Sequence, residues 1–150
     1  MKIASYRFRF DKQALMLFVA LLLPNLIWFI HPPACDILHV KSVTPGADAI
    51  AAFLQVQLAA LLIFFAREDA PEQLPNVWKV LALVFVGAYW GLWGEYYSGD
   101  TKFLLILAMA IVPCLALVAF SIGRKNWWSV VLCAVFLVCH LLFAVKNFYI

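Results

Sequence analysis

Five long apolar runs constrain this chain more than any other feature: Ala14 to Ile30, Ala47 to Ala66, Val77 to Tyr97, Phe103 to Gly123 and Trp127 to Val145. Each is close to the length of about 20 residues that a helix needs to cross the hydrocarbon core of a bilayer. The runs are continuous rather than alternating, which predicts α-helices and not barrel strands, and a helix satisfies its own backbone groups as lipid demands. Composition argues against a soluble fold. With 67% hydrophobic and 13% charged residues, a small soluble domain would carry contiguous apolar patches on its outside. The expected fold is all-α: one domain over residues 1–150, an integral membrane bundle of five transmembrane helices.

The breaks between runs agree with this division. His31-Pro32-Pro33 ends the first run, Thr44-Pro45-Gly46 precedes the second, and Arg67-Glu68-Asp69-Ala70-Pro71 follows it. Ser98-Gly99-Asp100 and Arg124-Lys125-Asn126 separate the last three. The third run has the weakest helix propensity, because Lys79 lies near its start and it holds Gly87, Gly91 and Gly94. A secretory leader is the rival reading of the first run, since Ala34-Cys35 resembles a lipoprotein cleavage site. Pro32 stands where such a site needs an aliphatic residue, and the run has the length of a membrane helix, so a retained span is expected.

Charge placement predicts direction. With the N-terminus inside, Lys2, Arg7, Arg9, Lys12, Arg67, Lys79, Arg124 and Lys125 fall on the cytoplasmic side, against Lys41, Lys102 and Lys146 outside. Cytoplasmic segments hold the excess of Lys and Arg, which predicts N-in and C-out. Trp28, Trp78, Tyr96, Tyr97, Trp127 and Trp128 lie near span ends, where aromatic side chains anchor at the interface. Ahead of the first run, Tyr6, Phe8 and Phe10 alternate with Arg7 and Arg9. This segment reads either as an amphipathic arm at the membrane surface or as a basic topology anchor.

Polar side chains inside spans are costly and are the first candidates for function. At a rise of about 1.5 Å per residue, Asn25 on the first run, Gln55 and Gln57 on the second, Tyr89 on the third and His140 on the fifth reach one layer in the outer half. Facing one another, they would line an outward pocket for a small polar or lipid-like ligand. Trp90 and Trp93 would form its walls and Glu95 its rim. The alternative is that these groups hydrogen-bond between helices and hold the bundle together. Gly87-x-x-x-Gly91 is expected to bring helices into close contact, inside the bundle or at a seam with another chain.

Other classes find little support. The net charge of +3 is dispersed, with no basic stripe for nucleic acid. His31, Cys35, Asp36 and His39 cluster in the first loop, but Pro32-Pro33 breaks any helical alignment and the spacing fits no zinc pattern, so a solvated loop without metal is expected. No cofactor motif is present, and no nucleophile stands with a base. An acid–base role for Glu95 and His140 requires the two to converge.

Length and six tryptophans suggest the tryptophan-rich sensory proteins, but their Trp-Pro-Pro and Trp-Asn-Pro segments have no counterpart here. Pro24-Asn25, Pro32-Pro33, Tyr89-x-x-Leu92-Trp93, and His140 with Lys146-Asn147 resemble small five-helix membrane proteins of unknown function from Gram-positive bacteria. The resemblance implies a bacterial plasma membrane and the helix count, and no activity. Two functions are therefore expected. One is a non-enzymatic accessory subunit that meets the lipid bilayer and another membrane protein, or a second copy of itself. The other is a binder or carrier of a ligand held by Asn25, Gln55, Tyr89, Trp93, Glu95 and His140.

Overall fold

The computed structural model describes residues 6–149 and contains five α-helices, each long and apolar enough to cross a membrane, together with one short two-stranded ribbon. In chain order the elements are β1 (Tyr6–Phe8), α1 (Lys12–Ile30), α2 (Pro45–Phe64), β2 (Phe65–Arg67), α3 (Asn76–Tyr97), α4 (Phe103–Gly123) and α5 (Trp127–Phe148). All five expected runs fold as helices. The fourth coincides with its helix, and the fifth continues past Val145 to Phe148.

The second run stops short of Ala66. Phe65 and Ala66 leave the helix because they pair antiparallel with the N-terminal arm, Phe65 opposite Phe8 and Ala66 opposite Arg7. The arm, read above as a surface segment or a basic anchor, is a strand over Tyr6–Phe8. Its alternation has the period of a strand, and Phe8 stacks on Phe64 with ring centroids 5.8 Å apart. Lys2 and the start of that arm lie outside the described residues.

Successive helices run in opposite directions, which sorts the connections to two ends. At one end Asp11 N donates to Ile63 O, Leu74 N to Gln13 Oε1, and Arg124 to Gln13. At the other, Ile37 N donates to Tyr96 Oη and Val43 N to Asn147 Oδ1. Between these ends α1 neighbours α2 and α3, α3 packs on α4, α4 on α5, and α5 on α2, closing a ring. Along the helices the outside is apolar: Met16, Val19, Phe53, Val56, Leu83 and Val138 are exposed. Such a surface suits lipid and not water.

Uncharged and rich in small residues, α4 is the most buried of the helices. It is closely approached at Gly123, where a Cβ would lie 2.5 Å from Leu74 Cδ1 and 2.7 Å from Trp78 Cβ. Helix α1 makes the sparsest contacts with its neighbours. Gly87 and Gly91, expected to pack helix on helix, do not do so within this chain, since an added Cβ at either meets no atom within 4 Å. The reason is angular. Helix α3 buries Ala82, Tyr89, Trp93 and Tyr96, and residues two places from Tyr89 lie about 200° around the axis.

Polar groups fasten the ribbon end. Arg124 is 7% exposed and pairs with Asp11 at 2.7 Å, while donating to Pro71 O at 2.7 Å and to Gln13 Oε1 at 2.8 Å. Burial pulls the Arg124 guanidinium pKa below its usual range, and Asp11 opposes that pull. Asp11 also accepts from Gln13 N and Ala14 N, capping α1. Asn126 accepts from Ser129 N at the start of α5 and from the Tyr6 hydroxyl, and donates to Leu61 O and Phe65 O, so it joins α5 to β1 and to the end of α2.

Candidate functional site

The ring encloses a cavity of about 380 Å³, set toward the end that carries residues 31–44. All five helices contribute to its wall. Asn25 of α1, Gln55 of α2, Tyr89 and Trp93 of α3 and His140 of α5 supply the polar groups, with Phe18, Met109, Pro113 and Phe136 among the apolar ones. Most of the residues expected to share a pocket therefore do so.

Glu95 does not. It is exposed and absent from the cavity wall, because it follows Trp93 by two residues and projects about 200° away around α3. Convergence of Glu95 with His140 is thereby excluded in this arrangement. Trp90 and Gln57 also lie off the wall, for the same reason of helical phase relative to Tyr89 and Gln55. Trp90 instead sits on the outside of the α1–α3 seam, 40% exposed.

Two prolines shape the site. Pro24 has no N–H to offer Ala20 O, and that carbonyl accepts from the Trp90 indole at 2.9 Å. One residue on, Asn25 Nδ2 donates to Leu21 O at 3.0 Å and to Tyr89 Oη at 2.9 Å, a second polar tie between α1 and α3. On α4, Pro113 deprives the Met109 carbonyl of its helical donor, and both residues line the cavity.

Trp93 is held among aromatic rings, with centroid separations of 5.7 Å to Tyr96, 6.3 Å to Tyr89 and 6.3 Å to Trp28. It is 5% exposed, and its Nε1 has no hydrogen-bond partner. His140 lies against Phe136 with centroids 4.1 Å apart, and its buried Nδ1 also has no partner. Buried polar atoms are ordinarily paired, at a cost of about 1 to 3 kcal/mol when they are not. Two such atoms belong to residues of one cavity.

The loop over residues 31–44 forms a roof. Asp36 accepts from Trp28 Nε1 and Leu38 N, each at 3.0 Å, and from the Tyr96 hydroxyl. Its other oxygen pairs with His39, whose ring stacks on Trp28 at 4.3 Å. Tyr96 Oη accepts from Ile37 N at 2.8 Å and Leu38 N at 3.2 Å, and Leu38 closes the cavity wall. Burial raises the Asp36 carboxyl pKa, but the bonds from Tyr96, His39, Trp28 and Leu38 outweigh it and hold it down to about 2. The loop is exposed along most of its length, His31, Cys35 and His39 included, as its composition led one to expect, while Asp36, Ile37 and Leu38 turn partly inward. Among the described residues no three His, Cys, Asp or Glu side chains gather in a metal-binding group.

On its flank the cavity is open. Leu22 and Asn25 line it and are exposed, which places the mouth along α1. Among the described residues no Asp, Glu, Lys or Arg side chain lines the wall. Trp28, Tyr96 and Asp36 were not legible as site residues, because two read as interfacial anchors and one as loop. The spacing of Tyr89, Trp93 and Tyr96, four residues and then three, is the signal that marks one helix face.

No family model matches the chain, and no curated protein or solved structure is significantly similar to it.

Proposed function

We propose that this chain is a multi-pass protein of a bacterial plasma membrane, N-terminus inside and C-terminus outside, that binds a lipid-like ligand in the outer half of the bilayer without acting as an enzyme. The cavity shared by Asn25, Gln55, Tyr89, Trp93 and His140 carries this reading. A roof latched by Asp36 and Tyr96 bars the direct route from water, and the exposed mouth at Leu22 and Asn25 lies at a depth where the solvent would be acyl chain. A lipid-like molecule fits that route better than a small polar solute does.

Orientation rests on charge. Among the described residues Arg7, Arg9, Lys12, Arg67, Lys79, Arg124 and Lys125 gather at the ribbon end, and only Lys41, Lys102 and Lys146 at the roofed end. Cys35 is exposed in the roof. A membrane-impermeant thiol reagent applied outside the cell is expected to label it, and labelling only from the cytoplasmic side would invert the orientation.

Ligand binding is tested by identifying lipids that copurify with the full chain in mild detergent. A species enriched over the bulk membrane is expected with the wild type and not with Ala110→Phe, which fills the cavity. Identical bulk composition in both would defeat the reading. A second reading, association with another helix, draws on the outward glycines of α3, Gly87, Gly91 and Gly94. It predicts a dimeric or larger native mass that Gly91→Leu disrupts.

A further inference from the structure

We infer that the ligand carries an uncharged head that accepts a hydrogen bond from Trp93 Nε1, which makes it a neutral lipid bearing a carbonyl. This rests on the ligand-binding reading above and narrows its chemistry. Three observations support it.

The indole N–H is a donor only, so whatever meets it must be an acceptor. Trp93 is 5% exposed and its ring is clamped by Tyr89, Tyr96 and Trp28; the Tyr89 hydroxyl is a polar neighbour, but it makes no hydrogen bond of good geometry with the Trp93 Nε1. His140, on another helix of the same wall, has the Phe136 backbone as its polar neighbour, and its Nδ1 likewise makes no hydrogen bond of good geometry.

Charge supplies the next constraint. A buried phosphate or carboxylate needs a cation or several donors to offset its desolvation. Among the described residues no Lys or Arg lines the cavity: Arg9 and Arg124 belong to the opposite end of the bundle, and Lys41, Lys102 and Lys146, which share the cavity's end, are not on its wall.

Size supplies the third. A volume of about 380 Å³ takes roughly a dozen water-sized groups at about 30 Å³ each. That accommodates a head and the first part of a chain. The remainder must leave through the mouth beside Leu22 and Asn25, so the ligand is a head with a long apolar tail. Diacylglycerol esters and isoprenoid quinones share this chemistry.

Native mass spectrometry of the full chain in detergent micelles, titrated with dioleoylglycerol, dioleoyl phosphatidate and decylubiquinone, tests it. The first two differ by a phosphate on the same chains. Adducts with dioleoylglycerol or with decylubiquinone are expected, and which of the two is retained identifies the source. Phosphatidate is expected to bind at least about tenfold more weakly. Trp93→Phe, which keeps a smaller aromatic ring and removes the donor, is expected to weaken the retained adduct about tenfold, and β-(3-benzothienyl)alanine at position 93, which keeps the bicyclic shape without the N–H, serves as a second variant should Trp93→Phe not fold. Equal retention of phosphatidate overturns the uncharged head and leaves ligand binding standing. Unchanged affinity in the folded variants overturns the hydrogen-bond assignment. Retention of none of the three probes overturns the proposed class, whereas the copurification comparison with Ala110→Phe decides separately whether any ligand is bound.

Discussion

The indole nitrogen of Trp90 donates to the carbonyl of Ala20 at 2.9 Å, and Ala20 is the residue whose helical donor is removed by Pro24. A break in one helix is thus mended from its neighbour. Trp90→Phe is expected to lower stability by about 1 kcal/mol, the scale of an interhelical hydrogen bond in a membrane bundle. In a Pro24→Ala background, where the residue-24 N–H can reach Ala20, the same change should cost measurably less. Unfolding in mixed detergent micelles gives both numbers, and equal costs in the two backgrounds would rule the coupling out.

Asp11 and Arg124 join the start of α1 to the turn before α5, and both are largely shielded from solvent. Removing one member strands a buried charge, at a cost on the order of 3 to 5 kcal/mol. Asp11→Asn isolates this term, because the amide oxygen still caps Gln13 N and Ala14 N. A fall in unfolding free energy of that size is expected. A change under about 1 kcal/mol would class the pair with exposed ones.

The roof is expected to be acid-sensitive. The Asp36 carboxyl is held at about 2, below its ordinary value of 3.8. A depressed carboxylate stabilises the fold above its unfolded pKa and loses that contribution as pH falls through the folded one. The latch should therefore hold above about pH 4 and release progressively down to about pH 2. Protection of the Ile37 and Leu38 amides against hydrogen exchange reports it directly, since both donate to Tyr96. Asp36→Asn should show no such transition, and a transition surviving in that variant would assign it to another group.

Gly123 and Gly91 are expected to respond oppositely to alanine. At Gly123 the new methyl collides with Leu74 and Trp78, and overpacking of that kind costs about 1 to 3 kcal/mol. At Gly91 it meets nothing within 4 Å, and the higher helix propensity of alanine favours the folded state by up to about 1 kcal/mol. Thermal unfolding of the two variants side by side decides it.

These contrasts mark what can be read from the chain alone. Hydrophobic run length located every helix, since lipid leaves few other solutions for an apolar segment of that size. Depth along the run was also legible, which is why Asn25, Gln55, Gln57, Tyr89 and His140 could be grouped in one layer. Rotation about the helix axis was not. In a soluble helix the polar face reports phase, whereas α3 is apolar nearly all round, so Trp90, Trp93 and Glu95 looked equally eligible. The same ambiguity hid that Gly87 and Gly91 face away from the other helices of this chain. Pairing distant in sequence was invisible too. Nothing in Tyr6–Phe8 announces Phe65–Arg67, and nothing in the composition of the first loop announces that Tyr96 will hold Asp36.

The fastening of α1 has a mechanical consequence. Its first turn is pinned by Asp11 to Arg124, and its far end by Trp28 to Asp36 and by Tyr97 to His31. Between those points it buries Leu17, Phe18, Leu21 and Pro24, and α3 holds it twice more, by Trp90 to Ala20 O and by Asn25 to Tyr89. The helix is supported like a beam clamped at both ends and propped in its span, with the prop set at the section that Pro24 weakens.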